Sequence, residues 1–209
     1  MKLTLSATLL TLALSLPAVA GPTKAISKED LMKHVSGWSK EAVDASDFMF
    51  KKYGAPNGMT PDMVVWTEVK PFKRSILYKE PVTHKFPMEH KDVLEHFIDY
   101  KAPEADKVAE LWKFDGSVIL EKTKGEMSAR CDKEEANILA LNLADEIVNG
   151  KRSVDDARME YGRQILAMKD GNPMKLTQKL VFTPTSSAGD QDQPIMDKIK
   201  EETKQAEEE

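Results

Sequence analysis

Phe114-Asp-Gly-Ser-Val-Ile-Leu-Glu-Lys-Thr-Lys-Gly-Glu-Met-Ser-Ala-Arg-Cys131, followed by Asp132 to Gly150, is the stretch on which the fold turns. Val118 and Leu120 alternate with Ile119 and Glu121, the period of a pleated strand. Lys124-Gly125 then joins this strand to a second one ending at Cys131. From Ala136 onward, apolar residues at 138–141, 143, 144, 147 and 148 wrap most of a helical circumference. Only Glu134, Asn137, Asp145 and Asn149 form a polar stripe, so this helix has to pack on more than one side. A hairpin feeding the most apolar helix of the chain predicts the nucleus of an α+β fold: a mainly antiparallel sheet packed against several helices in a single domain.

Outward from the nucleus, both ends of the chain differ from its body. Residues 1–20 have the build of a signal peptide: Lys2, an apolar run from Leu3 to Leu16, and Ala18-Val19-Ala20 as cleavage site. The run is short for a membrane span, and cleavage is expected after Ala20. The domain is expected over 21–183, and 184–209 as a disordered acidic tail with at most a marginal helix after Pro194. That tail carries eight acids and three lysines, a net charge of −5, which equals the charge of the whole chain. The body is therefore close to neutral, which argues against a nucleic-acid partner. Cys131 is the one cysteine, so no intrachain disulfide can form and burial has to supply stability.

The segments between these landmarks carry their own signals. Ser27 with Asp30, and Ile26 with Leu31, start a helix expected to run to Tyr53. Its stripe Leu31, Val35, Trp38, Ala42, Ala45 and Met49 is heptad-like, and a dimer through the 28–52 helix is the alternative to docking on the sheet. Docking is favoured, because two alanines and a tryptophan suit a sheet better. Strands are expected at Val64–Val69 and Lys73–Lys79. Residues 80–92 are expected to be irregular, since Pro81 and Pro87 cannot donate to a ladder. Val93–Tyr100 fits both a helix face and a strand face, and we read a helical turn leading into a strand over 95–101. Pro103 opens a short helix stopped by Asp115-Gly116, Ser153 with Asp156 caps another, and Leu176, Leu180 and Phe182 share a strand face.

Two sets of residues could carry chemistry. Cys131 stands where a strand hands over to a helix, just before Asp132 as cap, with Glu135 to complete a capping box. The helix start and Arg130 would favour a thiolate, whereas Asp132, Glu134 and Glu135 oppose it. Cys131 reads as a small buried hydrophobe, with a Cys131-dependent enzyme as the sharper alternative. His84, His90 and His96 recur every six residues, roughly 20 Å along a strand and about 240° around a helix. Ligands of one ion lie about 2 Å from it, so regular structure cannot bring all three together. A chain reversal at Phe86-Pro87 could join His84 and His90, with Glu89 or Met88 third; Glu89 would suit zinc and Met88 copper.

Phe114-Asp-Gly-Ser-Val-Ile, Lys124-Gly-Glu-Met-Ser-Ala-Arg-Cys-Asp-Lys-Glu-Glu-Ala-Asn137, Ala140-Leu-Asn-Leu-Ala144 and Asn149-Gly-Lys151 resemble a group of uncharacterised exported bacterial proteins, over roughly 71–161. The resemblance implies a bacterial, exported protein and no particular chemistry. No nucleotide-binding, serine-hydrolase or zinc-protease signature is present in the sequence. The chain reads as an exported binding or accessory protein, periplasmic or extracellular, meeting an unidentified protein or small molecule through 80–92 and the adjoining sheet without catalysis. The rivals are a zinc or copper protein using His84, His90 and Glu89, and an enzyme built on Cys131.

Overall fold

The computed structural model describes residues 25–185, 189–190 and 192–207; the leader-like residues 1–20 lie outside them. In chain order the elements are α1 (Lys28–His34), α2 (Lys40–Tyr53), β1 (Gly58–Thr60), β2 (Met63–Thr67), β3 (Arg74–His84), β4 (His90–Asp99), α3 (Ala105–Phe114), β5 (Val118–Glu121), β6 (Glu126–Cys131), α4 (Glu134–Val148), α5 (Val154–Lys169), α6 (Lys175–Gln178) and α7 (Met196–Glu207). The six strands form one antiparallel sheet in the order β1-β2-β3-β4-β6-β5. The fold is α+β, as the hairpin and the apolar helix imply.

Strand alternation explains how the sheet buries one face. The register aligns Val64 with Leu77, Leu77 with Leu94, and Leu94 with Cys131; His96 faces Ala129 and Ile98 faces Met127. Every one of these side chains is buried. Helices α2 and α4 cover this face, α2 over β3 and β4, α4 over β4, β5 and β6. Helix α4 is itself covered by α3, α5 and α6, which is why its apolar residues run almost all the way round. The hairpin between β5 and β6 turns at Gly125, whose φ of 64° lies in the left-handed region that glycine enters without a Cβ clash.

Four expectations are corrected. The helix expected from Ser27 to Tyr53 is broken between α1 and α2, where Gly37 disfavours helix and Ser39 caps a new one through Ala42 N at 3.2 Å. Its stripe survives the break, with Leu31, Val35, Ala42, Ala45 and Met49 all buried against Val64, Trp66, Leu77 and Leu94. That stripe is thus spent inside the chain and is not free to pair two copies. Segment 93–100 contains no helical turn: it is strand from His90, and its mixed pattern arises because residues 92–96 are buried on both faces. Residues 80–84 are not irregular but continue β3, with Pro81 placed where the register shifts between Leu77 and Val82. Leu176–Phe182 is no strand either. It lies along α4 as α6 and an irregular segment, where buried Asn142 takes over the ladder's role, donating to Leu176 O and Lys179 O and accepting from Val181 N, each at 2.9 Å.

In the acidic tail, Met196–Glu207 form α7, which packs against no other element among the described residues.

Candidate metal centre

The far end of the β3–β4 hairpin gathers the first group. His84 pairs with His90 across the ladder, and Asp92 follows His90 by two residues. Directly opposed residues share a sheet face, as do i and i+2 on one strand, so the hairpin alone brings these three side chains together. Their ligand atoms all lie within 4.8 Å of one another, and the two rings are 5.0 Å apart between centroids. The turn between the strands is held from outside. Its Phe86 packs against Tyr161 of α5 at 5.1 Å between centroids, beneath the Arg158 guanidinium at 3.9 Å.

His90 and Asp92 are each oriented by an atom that would not touch an ion. His90 Nδ1 donates to the Met88 carbonyl at 2.8 Å, which leaves the lone pair of a neutral ring on Nε2. Asp92 Oδ2 accepts from Ser117 Oγ at 2.5 Å, which leaves Oδ1. His84 Nε2 faces Asp115 Oδ1 at 3.6 Å, with its Nδ1 3.3 Å from Ser117 Oγ and 3.6 Å from Asp92 Oδ2. An imidazole held by a carbonyl or carboxylate on one nitrogen, with the other nitrogen free, is the usual support of a metal-bound histidine.

His90 Nε2 and Asp92 Oδ1 then meet at 2.9 Å, out of line for a hydrogen bond, and both atoms are buried with no hydrogen-bond partner. Asp92 is 1% exposed, and an isolated carboxylate at such depth is costly. A cation is therefore favoured beside it, and besides the more distant Arg130 that place can be taken by a proton on His90 or by a metal ion. Burial disfavours the charged ring of His90, but Asp92, then Cys131 and the Met88 carbonyl, outweigh it and push His90 up to about 11. Arg130 Nε, at 3.9 Å from Asp92 Oδ2, is too far to neutralise it by a direct bond. The His84 and His90 side chains are 18% and 16% exposed, enough to admit an ion from solvent.

Among the other candidates, Glu89 is exposed and outside the convergent group; the geometry offers Asp92 as third donor. The Met88 sulfur accepts from Lys169 Nζ at 2.7 Å, so the thioether is turned toward α5 and only the carbonyl serves His90. His96 is fully buried and bonded to Glu134 Oε2 at 3.1 Å, and His34 contacts the Thr60 carbonyl at 2.8 Å. Cys131 is 6% exposed and shares a cavity of about 90 Å³ with His90 and Tyr161. Burial, Asp132 and Asp92 raise its thiol above the usual range against the opposing pull of His90, so it is a poor nucleophile. The expected capping box is also absent: Lys133 is the cap, Asp132 accepts from the Cys131 thiol at 3.4 Å, and Glu134 turns inward to His96. Ser117, His84 and Asp115 have the composition of a hydrolytic triad, but Ser117 is buried and gives its proton to Asp92 rather than to His84.

The sequence carries a signal for Asp92, because a strand reading of His90-Lys-Asp92 places both side chains on one face. It carries none for Asp115 and Ser117, which arrive from the α3–β5 connection by tertiary folding alone. Comparison with known proteins finds no matching family model, no curated protein and no solved structure, so the function has to be read from these side chains.

Proposed function

We propose that this protein binds a divalent transition metal through His90 Nε2, Asp92 Oδ1 and an imidazole nitrogen of His84, and that it does so outside the cytoplasm, as the leader-like residues 1–20 suggest. The observation that carries the proposal is the 2.9 Å approach of two buried, unpartnered atoms whose other atoms are already engaged. Two imidazoles and one carboxylate are zinc donors, and the thioether that would have favoured copper is turned away. Ser117 and the Met88 carbonyl orient the ligands, and Asp115 adds a second buried carboxylate near His84. The exported accessory role expected from the sequence is retained, with a metal ion as the ligand.

Calorimetric titration of the chelator-treated protein with zinc tests this reading. One ion per chain is expected, with affinity falling as acid protonates the imidazoles. Asp92→Asn and His90→Ala are expected to abolish the binding, and Ser117→Ala to weaken it by about 10- to 100-fold. His34→Ala is expected to leave it unchanged. Stoichiometric zinc binding that survives Asp92→Asn removes the proposal.

A further inference from the structure

The two ring nitrogens of His84 face different carboxylates. Its Nδ1 points into the corner formed with His90 and Asp92, 3.6 Å from Asp92 Oδ2 and 3.3 Å from Ser117 Oγ. Its Nε2 points toward Asp115 Oδ1 at 3.6 Å. Asp115 is fixed in that place by its own backbone. It closes α3, its Oδ1 accepts from Ser117 N at 2.8 Å, and its carbonyl accepts from Val118 N at 3.2 Å. An aspartate makes such a turn locally, by bonding the amide two residues on. The carboxylate is 4% exposed, so water screens its charge poorly from the ring.

A neutral imidazole carries one ring proton, and its neighbours decide which nitrogen holds it. Ser117 has a single hydroxyl proton and directs it to Asp92 Oδ2, so it offers His84 Nδ1 only an oxygen lone pair. Asp92 then attracts the ring proton to Nδ1 and Asp115 attracts it to Nε2, each from 3.6 Å. An ion in the corner ends that contest. It answers the charge of Asp92 and takes the lone pair of Nδ1, which leaves the proton on Nε2, facing Asp115. His90 is set the other way round, because the Met88 carbonyl accepts from its Nδ1 at 2.8 Å.

Resting on the metal reading above, we infer that His84 coordinates through Nδ1 and His90 through Nε2, and that Asp115 is the positioning residue for His84. Asp115 does not touch the ion; it accepts the Nε2 proton. A histidine backed by a carboxylate is a better oriented and more basic ligand, and losing the backing group weakens metal affinity by about 10- to 100-fold. Asp115 therefore does for His84 what the Met88 carbonyl does for His90.

Nitrogen NMR of the histidine rings in the zinc-loaded protein tests the inference, because protonated and metal-bound ring nitrogens differ in chemical shift. Opposite patterns are expected: a protonated Nε2 in His84 and a protonated Nδ1 in His90. Asp115→Asn can still accept from Ser117 N through its amide oxygen, so the turn is kept. That variant is expected to bind zinc about 10- to 100-fold more weakly in calorimetry. Its His84 Nε2 proton is expected to move upfield, as a charged acceptor gives way to a neutral one, which a purely structural role for Asp115 would not produce. If Asp115→Asn does not fold, the wild-type ring pattern decides alone. Coordination of both rings through Nε2 overturns the inference and leaves the metal reading standing, and so does an unchanged affinity in Asp115→Asn. A wild-type protein that takes up no zinc overturns both, an outcome that calorimetry reports before any ring is assigned.

Discussion

His96 with Glu134 and His90 with Asp92 are two histidine–carboxylate contacts made from the same strand, at 3.1 and 2.9 Å. Around Glu134 the partners are complete. Its Oε2 also accepts from Tyr53 at 2.8 Å, its Oε1 from Lys52, and the His96 ring lies 4.1 Å from that of Phe72. Burial works against the charge of Glu134, but His96, Lys52 and Tyr53 outweigh it and hold its carboxyl below the usual range. The contact ties α2, β4 and α4 together and leaves the carboxylate no free lone pair aimed at a ligand. Around Asp92 only one oxygen is bonded, and the other faces an imidazole nitrogen at an angle no hydrogen bond uses. Similar distances thus hide different surroundings: the first is a cross-link, the second leaves two buried atoms without a hydrogen-bond partner.

The largest effect that could break this comparison is on stability. Glu134→Ala strands Tyr53 and His96 in the interior and is expected to cost about 3–5 kcal/mol in denaturant unfolding. Asp92→Asn removes the partner of a His90 ring that can give up its proton to solvent, so the metal-free protein is expected to lose less than Glu134→Ala does. Equal losses in the two variants would make the His90 corner structural after all.

Zinc sharpens the same contrast. At a free concentration a hundredfold above the dissociation constant, bound metal stabilises the folded chain by about 2.7 kcal/mol. The shift in unfolding midpoint is expected in the wild type and in Glu134→Gln, and is expected to vanish in Asp92→Asn. A shift lost in Glu134→Gln instead would place the metal at the wrong histidine.

Acid provides a smaller, graded test at a third carboxylate. Arg74 lies against Glu126 at 2.7 Å, with Lys73 at 2.8 Å, and these cations hold Glu126 down to about 2 against burial. A lowered folded-state value means that this stabilisation is present above the ordinary carboxylate range and is lost as pH falls through about 2. The wild type is therefore expected to lose more stability than Glu126→Gln between pH 5 and pH 2; parallel curves would show that the two cations do not hold Glu126.

The smallest effect is expected at the half-buried His34. Its bond to the Thr60 carbonyl lies at the surface, so His34→Ala is expected to change stability by less than about 0.5 kcal/mol and zinc affinity not at all.

What the sequence determined by itself is local. Alternation at Val118–Glu121, the glycine at 125 and the all-round apolar pattern of 136–148 were enough for the β5–β6 hairpin and a helix covered on several sides. Ser27 and Ser153 marked their helices because a cap is a contact across three residues. The possibility that Phe86-Pro87 reverses the chain between His84 and His90 was also legible, since it depends on spacing alone. Tertiary structure decided the rest. Residues 90–99 are strand because β3 and β6 flank them on both sides, and no periodicity reports a neighbour distant in sequence. Asn142 gives Leu176–Val181 its hydrogen bonds from another helix, so the strand pattern there had no ladder to join. Asp92, and not Glu89, joins the two histidines because the ladder puts i+2 on the same face and i−1 on the other. Ser117 and Asp115 reach the histidines only through the packing of α3 and β5 beside the hairpin, and it is that packing which leaves Oδ1 of Asp92 without a partner.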